Sequence, residues 1–494
     1  MKVSRRPTSV VSDLLIIGGG GSGLSAAVRA RELGVRDVTV IEKTSRTGGN
    51  AWLAVVMLGL GDPVRLEPGT TQWRDETFAG LMQSGKWTLD ARLIRAFVDT
   101  YPEMVRWLIG KGLTFDVNGF DIGGRRFSTL CLRERRGDYK VSDPARGPGF
   151  LGNIITDLLA DECRRLDVSI HTKTRATNIL LDDSGTAVRG VLASGPEGEF
   201  LIEAPRVILA AGGFGANEGM MRKYFPEHFR EEGPINTLCT GASTGDGLVM
   251  AEQIGLLMGD DMDAGVIGPG HHPWHHSLHE AIHRPEMLWV NKNGERFTNE
   301  SLSVMAGWAL IRQPESSLYA LFDSATRDHI TENPNARQIA MGGEAWLRSL
   351  PQDLETEAGW TRKTAVIAGS WDELAPAIGA DPAVLRATVE RYNALCDQGR
   401  DADFVKKPGV LRSLRTPPYY AVLGVRFCHG TEGGVKIDER MEVRGSDGRR
   451  IGGLYATGDN TSGWVVEWGL PGTTLAFAFT SGYIAAENAA SFPR

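Results

Sequence analysis

A glycine cluster directly after an apolar run constrains this chain more than any other feature. Residues 11–43, VSDLLIIGGGGSGLSAAVRARELGVRDVTVIEK, read strand, turn, helix, strand. Leu14, Leu15, Ile16 and Ile17 are the apolar run, and Gly18, Gly20 and Gly23 then spell GxGxxG. The chemistry needs glycine there for three reasons. One permits the tight turn, one lets the backbone approach a pyrophosphate, and one lets the helix pack closely on the strand. The helix start adds N–H donors and the positive end of a dipole. Glu42 closes the second strand, 19 residues after Gly23, where a carboxylate can hold ribose hydroxyls. The segment predicts a dinucleotide-binding βαβ unit rather than a plain glycine-rich turn.

Two later segments return to the same unit. RVILAAGGFGAN, residues 206–217, and GGLYATGDNTSG, residues 452–463, are further apolar strands that end in glycines. A nucleotide domain assembled from both ends of a chain has something inserted between them. At 494 residues the chain is long enough for that. The reading is an α/β fold: a Rossmann-like nucleotide domain from 1–261 and 427–494, with an α+β capping domain inserted at 262–426. The insert has helical stretches such as DPAVLRATVERYNAL, short strands such as MLWVN, and several tryptophans.

Composition excludes other classes. A formal charge of −7 gives no general attraction to nucleic acid or acidic membranes. No apolar run is long enough to span a bilayer. The Arg pair near the N-terminus is not followed by a signal-type apolar region and cleavage site. The five cysteines are scattered without a CxxC, as expected of reduced thiols in a cytoplasmic protein.

Six motifs in order resemble the flavoprotein family of fumarate reductase and 3-ketosteroid 1-dehydrogenase. They are EKTSRTGGNA (42–51), TGDGLVMAEQIG (244–255), WVNKNGERFTNE (289–300), GTEGGVKID (430–438), GLYATGDNTSG (453–463) and PGTTLAFAFTSGYIAAENA from Pro471. The resemblance implies FAD, with the flavin between the nucleotide domain and the cap. It implies that Gly18, Gly20 and Gly23 face the pyrophosphate and Glu42, beside Lys43, the ribose. Gly49, Asn50 and Ala51 would approach phosphate and flavin, and Ala176 would touch adenine through its backbone. Gly212, Asp246 and Asp459 would line the cofactor chain. Gly472, Thr474 and Leu475 open the last helix, whose N–H groups can stabilise negative charge on the reduced ring. Some relatives attach FAD through a His near the GGN segment. Here no His occurs between residues 1 and 170, so non-covalent FAD is expected.

The chain also departs from the family. The fumarate reductases use an Arg four residues after the signature Glu, here Glu300, and the ketosteroid dehydrogenases use a Tyr; this chain has Val304. Where the reductases hold a carboxylate with an Arg, Gly469 stands here. A His before the TxGG turn is replaced by Gly430, with His429 one residue earlier. The C-terminal segments are closer to the ketosteroid dehydrogenase branch. There a Gly N–H and a Tyr hydroxyl polarise the ketone. Gly472 matches the Gly, and Trp468 falls nearest the Tyr, as a second donor or as packing.

Six of ten histidines lie in GHHPWHHSLHEAIH, residues 270–283. Three readings are open: a metal site, a packed or solvated histidine surface, or a proton relay. Spacing on a helix would put His276, His279 and His283 on one face. No Cys is near and flavin chemistry needs no metal, so no metal is expected. By resemblance Glu280 and His283 fall where reductases conduct protons, which makes His279, Glu280 and His283 the relay candidates. The whole predicts an FAD oxidoreductase acting on a CH–CH or C=C bond beside a carbonyl, its small-molecule substrate a cyclic ketone or enone. No second Rossmann fingerprint appears, so electrons are expected to reach an external acceptor or donor. An enoate reductase of the fumarate type and a non-catalytic flavin binder are the alternatives.

Overall fold

The computed structural model describes residues 9–59, 72–122, 125–135, 151–229, 235–271, 275–334, 347–359, 364–465 and 472–493. The opening βαβ unit is there. Strands Leu14–Ile17 and Val38–Ile41 run parallel on either side of the helix Gly21–Glu32 in the chain. All eight strand residues are buried, as a parallel strand covered on both faces requires.

Both ends of the chain meet in this sheet. Val207–Leu209 lies between Leu14–Ile17 and Arg450–Ala456, parallel to both. Ser169–His171 extends one side, and Glu442–Arg444 adds an antiparallel edge on the other. The three segments picked out as apolar strands ending in glycine are thus neighbours. Their glycine turns follow the carboxyl ends of the strands, where open α/β sheets bind ligands. The last helix, Thr473–Ala490, packs on Gly21–Glu32. Contact is close because Gly482 meets the backbone of Ser22, and a Cβ there would overlap the Ser22 carbonyl oxygen.

The inserted region forms its own sheet around one long strand, Tyr419–Glu432. Ser317–Asp323, Ala365–Ala368 and Asp263–Gly270 pair antiparallel with it, and Leu288–Val290 joins through Ser317–Asp323. Separate apolar clusters cover its two faces: one around Trp289, Phe322 and Leu350, the other around Leu374, Leu385 and Tyr392. The boundary expected between residues 426 and 427 falls inside Tyr419–Glu432. This strand is continuous from the cap sheet toward the nucleotide part.

The cap tryptophans that are described sit in three different settings. Trp289 is fully buried and donates its indole N–H to Ile282 O at 3.0 Å. Trp371 stacks on Tyr419, with centroids 4.1 Å apart. Trp308 is on the surface against His228. No described helix is long and apolar enough to cross a membrane. Cys163, Cys239, Cys396 and Cys428 are free thiols.

Candidate functional site

The phosphate loop has the form its glycines require. Gly18 has φ +108°, and a Cβ on it would overlap Ala210 O of the neighbouring strand turn. A Cβ on Gly23 would overlap Gly18 O, so the third glycine sets how tightly helix packs on loop. Gly20 differs: a Cβ there would meet only Gly49 Cα, at an ordinary 3.9 Å. It caps the helix without a side-chain acceptor, which leaves the first-turn N–H groups for an anion. The loop is latched to the GGN segment by Gly48 N–H donating to Gly19 O at 2.8 Å.

Glu42 is 7% exposed and holds the loop from the next strand. Its Oε2 accepts from Gly19 N at 2.9 Å, and its Oε1 accepts from Thr44 N and Oγ1, both at 2.8 Å. The carboxylate is thereby fixed beside the turn a ribose would approach. Lys43 points away from it, donating to Thr244 Oγ1 at 2.6 Å and pairing with Asp246 Oδ2 at 3.0 Å. Asp246 was expected along the cofactor chain. Its other oxygen takes Arg175 at 2.8 Å, so both oxygens already serve the protein. Burial opposes its ionisation, but Lys43, Thr244 and Arg175 hold its pKa below the usual carboxylate range. Ala176, beside Arg175, is buried in the strand Arg175–Leu181.

The GGN segment is tied across the chain. Asn50 Oδ1 accepts from Thr240 N at 2.8 Å, Thr240 Oγ1 at 3.1 Å and Ser243 Oγ at 2.9 Å. Its amide nitrogen is thereby directed toward Gly430, whose Cβ position lies 4.0 Å from it. A Cβ on Gly152 would collide with Ala51 O, so Gly152 lets the helix Leu151–Arg165 close on this turn. Gly212 has φ +72° and open space around it, and it donates its N–H to Asn460 Oδ1 at 3.1 Å. Asn460, fully buried, also donates to Leu209 O and so joins two strand ends; sequence reading passed over it in favour of its neighbour Asp459.

Gly472 caps the last helix in the left-handed region, φ +84°, and its carbonyl accepts from Leu58 N at 3.0 Å. Added atoms there would strike Met57 and Leu58, so no other residue fits. Leu475 is buried, and Thr474 Oγ1 donates to Glu432 Oε1 at 2.9 Å. Burial, with Asp263 and Asp459 nearby, raises the Glu432 pKa well above normal. Burial pushes Asp459 up to about 7. It pushes His429 down to about 3, although Gly265 O, 3.2 Å from its Nδ1, works against this. Glu432 was missed in the sequence because Asp263, Asp459 and Thr474 come to it from three separate segments. Trp468, Gly469 and His272 lie outside the described residues.

These residues fit FAD: an uncapped helix start for pyrophosphate, a fixed carboxylate for ribose, and a second helix end for the ring. Glu42→Ala is therefore expected to weaken FAD binding by roughly 1.5–3 kcal/mol, the range for a hydrogen bond to a charged group. Titration of apoprotein with FAD reads this directly, and unchanged affinity would place the ribose partner elsewhere.

The histidines divide. His276–Ile282 is a two-turn helix with His283 as its C-cap. His271, His279 and His283 are buried, as is Glu280, while His275 is half-buried with Nε2 3.5 Å from Asp353. The rings of His279 and His283 meet edge to face at 4.5 Å, and His279 lies 5.7 Å from Phe427. The pair thus sits against the long strand whose end carries His429 and Glu432. His276 opens the helix, its pKa lowered by burial and by His275. Among the described residues, no three His, Cys, Asp or Glu side chains are grouped to hold a metal ion.

The FAD binding domain family model matches residues 13–472. Over 98% of this chain and 77% of the other, the sequence is 29% identical to the fumarate reductase (cytochrome) of Shewanella frigidimarina. It is 27% identical to the 3-oxosteroid 1-dehydrogenase of Mycobacterium tuberculosis, over 96% of this chain and 97% of that protein. The 3-ketosteroid delta1-dehydrogenase from Sterolibacterium denitrificans, solved in complex with 1,4-androstadiene-3,17-dione, shares the fold. Its TM-score is 0.78 at 20% identity, covering 97% of this chain and 99% of that one.

Proposed function

We propose, from the premise that this chain belongs to the FAD binding domain family, that it dehydrogenates a cyclic ketone beside its carbonyl or reduces the corresponding enone. At the coarser level it is an FAD-dependent oxidoreductase of CH–CH and C=C bonds. One observation carries the ketone reading. Gly472 is built into the start of the last helix, where only glycine fits, while Gly469 and Val304 stand where the reductase branch needs arginines.

The bound FAD supplies the hydride acceptor. Residues 1–261 and 427–494 hold it through Gly18, Gly20, Gly23, Glu42, Asn50 and Thr474, and residues 262–426 cover the substrate. Gly472 N–H polarises the substrate oxygen, with Trp468 as the second donor. His279, Glu280 and His283 conduct the α-proton. Electrons pass to or from an external partner. The protein works where its thiols stay reduced, as in the cytoplasm. A second reading is an enoate reductase, favoured by the 29% identity to a fumarate reductase over nearly the whole chain.

Anaerobic flavin bleaching by a panel of saturated cyclic ketones, and reoxidation of reduced enzyme by enones and by fumarate, separates the two. Ketones or enones are expected to react and fumarate to be at least tenfold slower. Fumarate turnover matching any ketone would replace the first reading with the second, and an inert flavin would leave a binder.

A further inference from the structure

The histidine pair ends on a serine. His283 Nδ1 lies 3.1 Å from Ser303 Oγ. Ser303 stands in the turn Glu300–Ala306 with φ +48° and ψ −118°, a conformation side chains with a Cβ rarely adopt. Such a residue persists only where its surroundings over-determine it, and such residues gather at functional sites. The surroundings here can do so. Asn299 caps the turn by accepting from Ser301 N at 2.9 Å and donates to Phe404 O at 3.0 Å. Glu300 is anchored in the core by Arg296 and Lys406. The turn is thus clamped just ahead of Ser303, which delivers the hydroxyl to His283. The turn also packs on the strand Asp263–Gly270, which reaches toward Glu432, and on Leu113–Ile122 from the first part of the chain. Ser303 therefore sits where cap and nucleotide parts meet.

Ser303 also directly precedes Val304, which occupies the family's proton-transfer position and cannot carry a proton. A hydroxyl beside it can, if a histidine takes up the hydroxyl proton. We propose that Ser303 exchanges the proton with the substrate α-carbon and that His283 is the acid–base group behind it. This rests on the carbon–carbon oxidoreductase reading above. In dehydrogenation the α-proton passes to Ser303 Oγ as the serine proton passes to His283 Nδ1. The C–H electron pair left behind becomes the second bond between the α- and β-carbons. Bound FAD would supply the acceptor for the β-hydrogen with its electron pair, so the substrate loses one proton and one hydride. His279, whose ring meets that of His283 edge to face, receives the proton next.

The test uses FAD-loaded wild type, Ser303→Ala and Ser303→Gly, photoreduced without oxygen. Each is mixed with 2-cyclohexen-1-one, with 1,4-androstadiene-3,17-dione, and separately with ferricyanide, which takes electrons without needing a positioned proton. Both variants are expected to reoxidise with enone about 10²–10⁴-fold more slowly than wild type, and equally fast with ferricyanide. Ser303→Gly is expected to melt at a higher temperature than Ser303→Ala, because glycine accepts this φ without strain. Full enone rates in both variants would overturn the proposal. So would equal losses with enone and ferricyanide, which mark general damage. Wild type inert toward both enones would instead overturn the functional reading, and the proposal with it.

Discussion

Alanine at His283 or His279 is expected to slow flavin reduction by ketone, and reoxidation by enone, by about 10²–10⁴-fold while FAD stays bound. The rings are 5% and 6% exposed and 4.5 Å apart, so neither is a solvated surface group. Neither ring needs to touch the substrate: His283 takes the proton from Ser303, and His279 receives it next. His283→Gln sharpens the measurement. An amide can still hydrogen-bond Ser303 but cannot take up a proton, so it should be as slow as alanine. Stopped-flow absorbance of the flavin gives the rate, and released FAD after heating gives the content. Full activity in both alanine variants would reduce the cluster to packing. Stoichiometric zinc lost with the same substitutions would make it a metal site. His271 is fully buried, so its replacement by alanine should cost stability and leave the proton step unchanged.

Glu300→Ala is expected to destabilise the cap by about 3–5 kcal/mol. Glu300 is completely buried and accepts from Arg296 Nε at 2.9 Å and Nη2 at 2.8 Å, and from Trp289 N at 3.2 Å. Lys406 Nζ lies 3.3 Å away, also with no exposure. Arg296 is shared with Asp401 at 2.8 Å, and despite its burial Asp401 is drawn down to about 2, chiefly by Arg296. Burial lowers the Lys406 pKa against the pull of Glu300. Removing Glu300 leaves two buried cations with one carboxylate between them. Breaking such a group costs far more than it contributes when complete. Urea unfolding of wild type, Glu300→Ala and Glu300→Gln measures the cost, with the amide expected to lose less. A wild-type midpoint for Glu300→Ala would show that the cations are satisfied elsewhere. The same network clamps the turn that presents Ser303, so the family's signature glutamate acts here through position.

Much of the fold was legible because its signals are local. GxGxxG between a strand and a helix can be read within about thirty residues because the three glycines stand at a fixed spacing, although only Gly23 answers a local atom, Gly18 O, while Gly18 makes room for Ala210 O and Gly472 for Met57 and Leu58. At Gly18, Gly23 and Gly472 glycine is a steric necessity. The pairing of Val207–Leu209 with strands from both chain ends followed from three similar apolar strands ending in glycine. The tryptophans of the cap were less informative. Apolar bulk alone does not say whether a ring lines a pocket or fills a core, and Trp289 fills a core.

The sequence by itself determined the nucleotide unit, the cofactor class and the missing arginines at Gly469 and Val304. Those depend on residue identity at fixed spacing. Tertiary structure alone decided which groups meet. Lys43 and Arg175 occupy Asp246, although 203 and 71 residues separate the partners. Thr474, His429, Asp263 and Asp459 surround Glu432, and the hydroxyl of Ser303 meets His283 twenty residues away. Such contacts have no spacing rule, because the loops between the partners can take any length that the packed sheets close. A carboxyl becomes a proton holder, or a serine a proton carrier, only when folding removes water and supplies the neighbour, and no single residue in the chain records that neighbour.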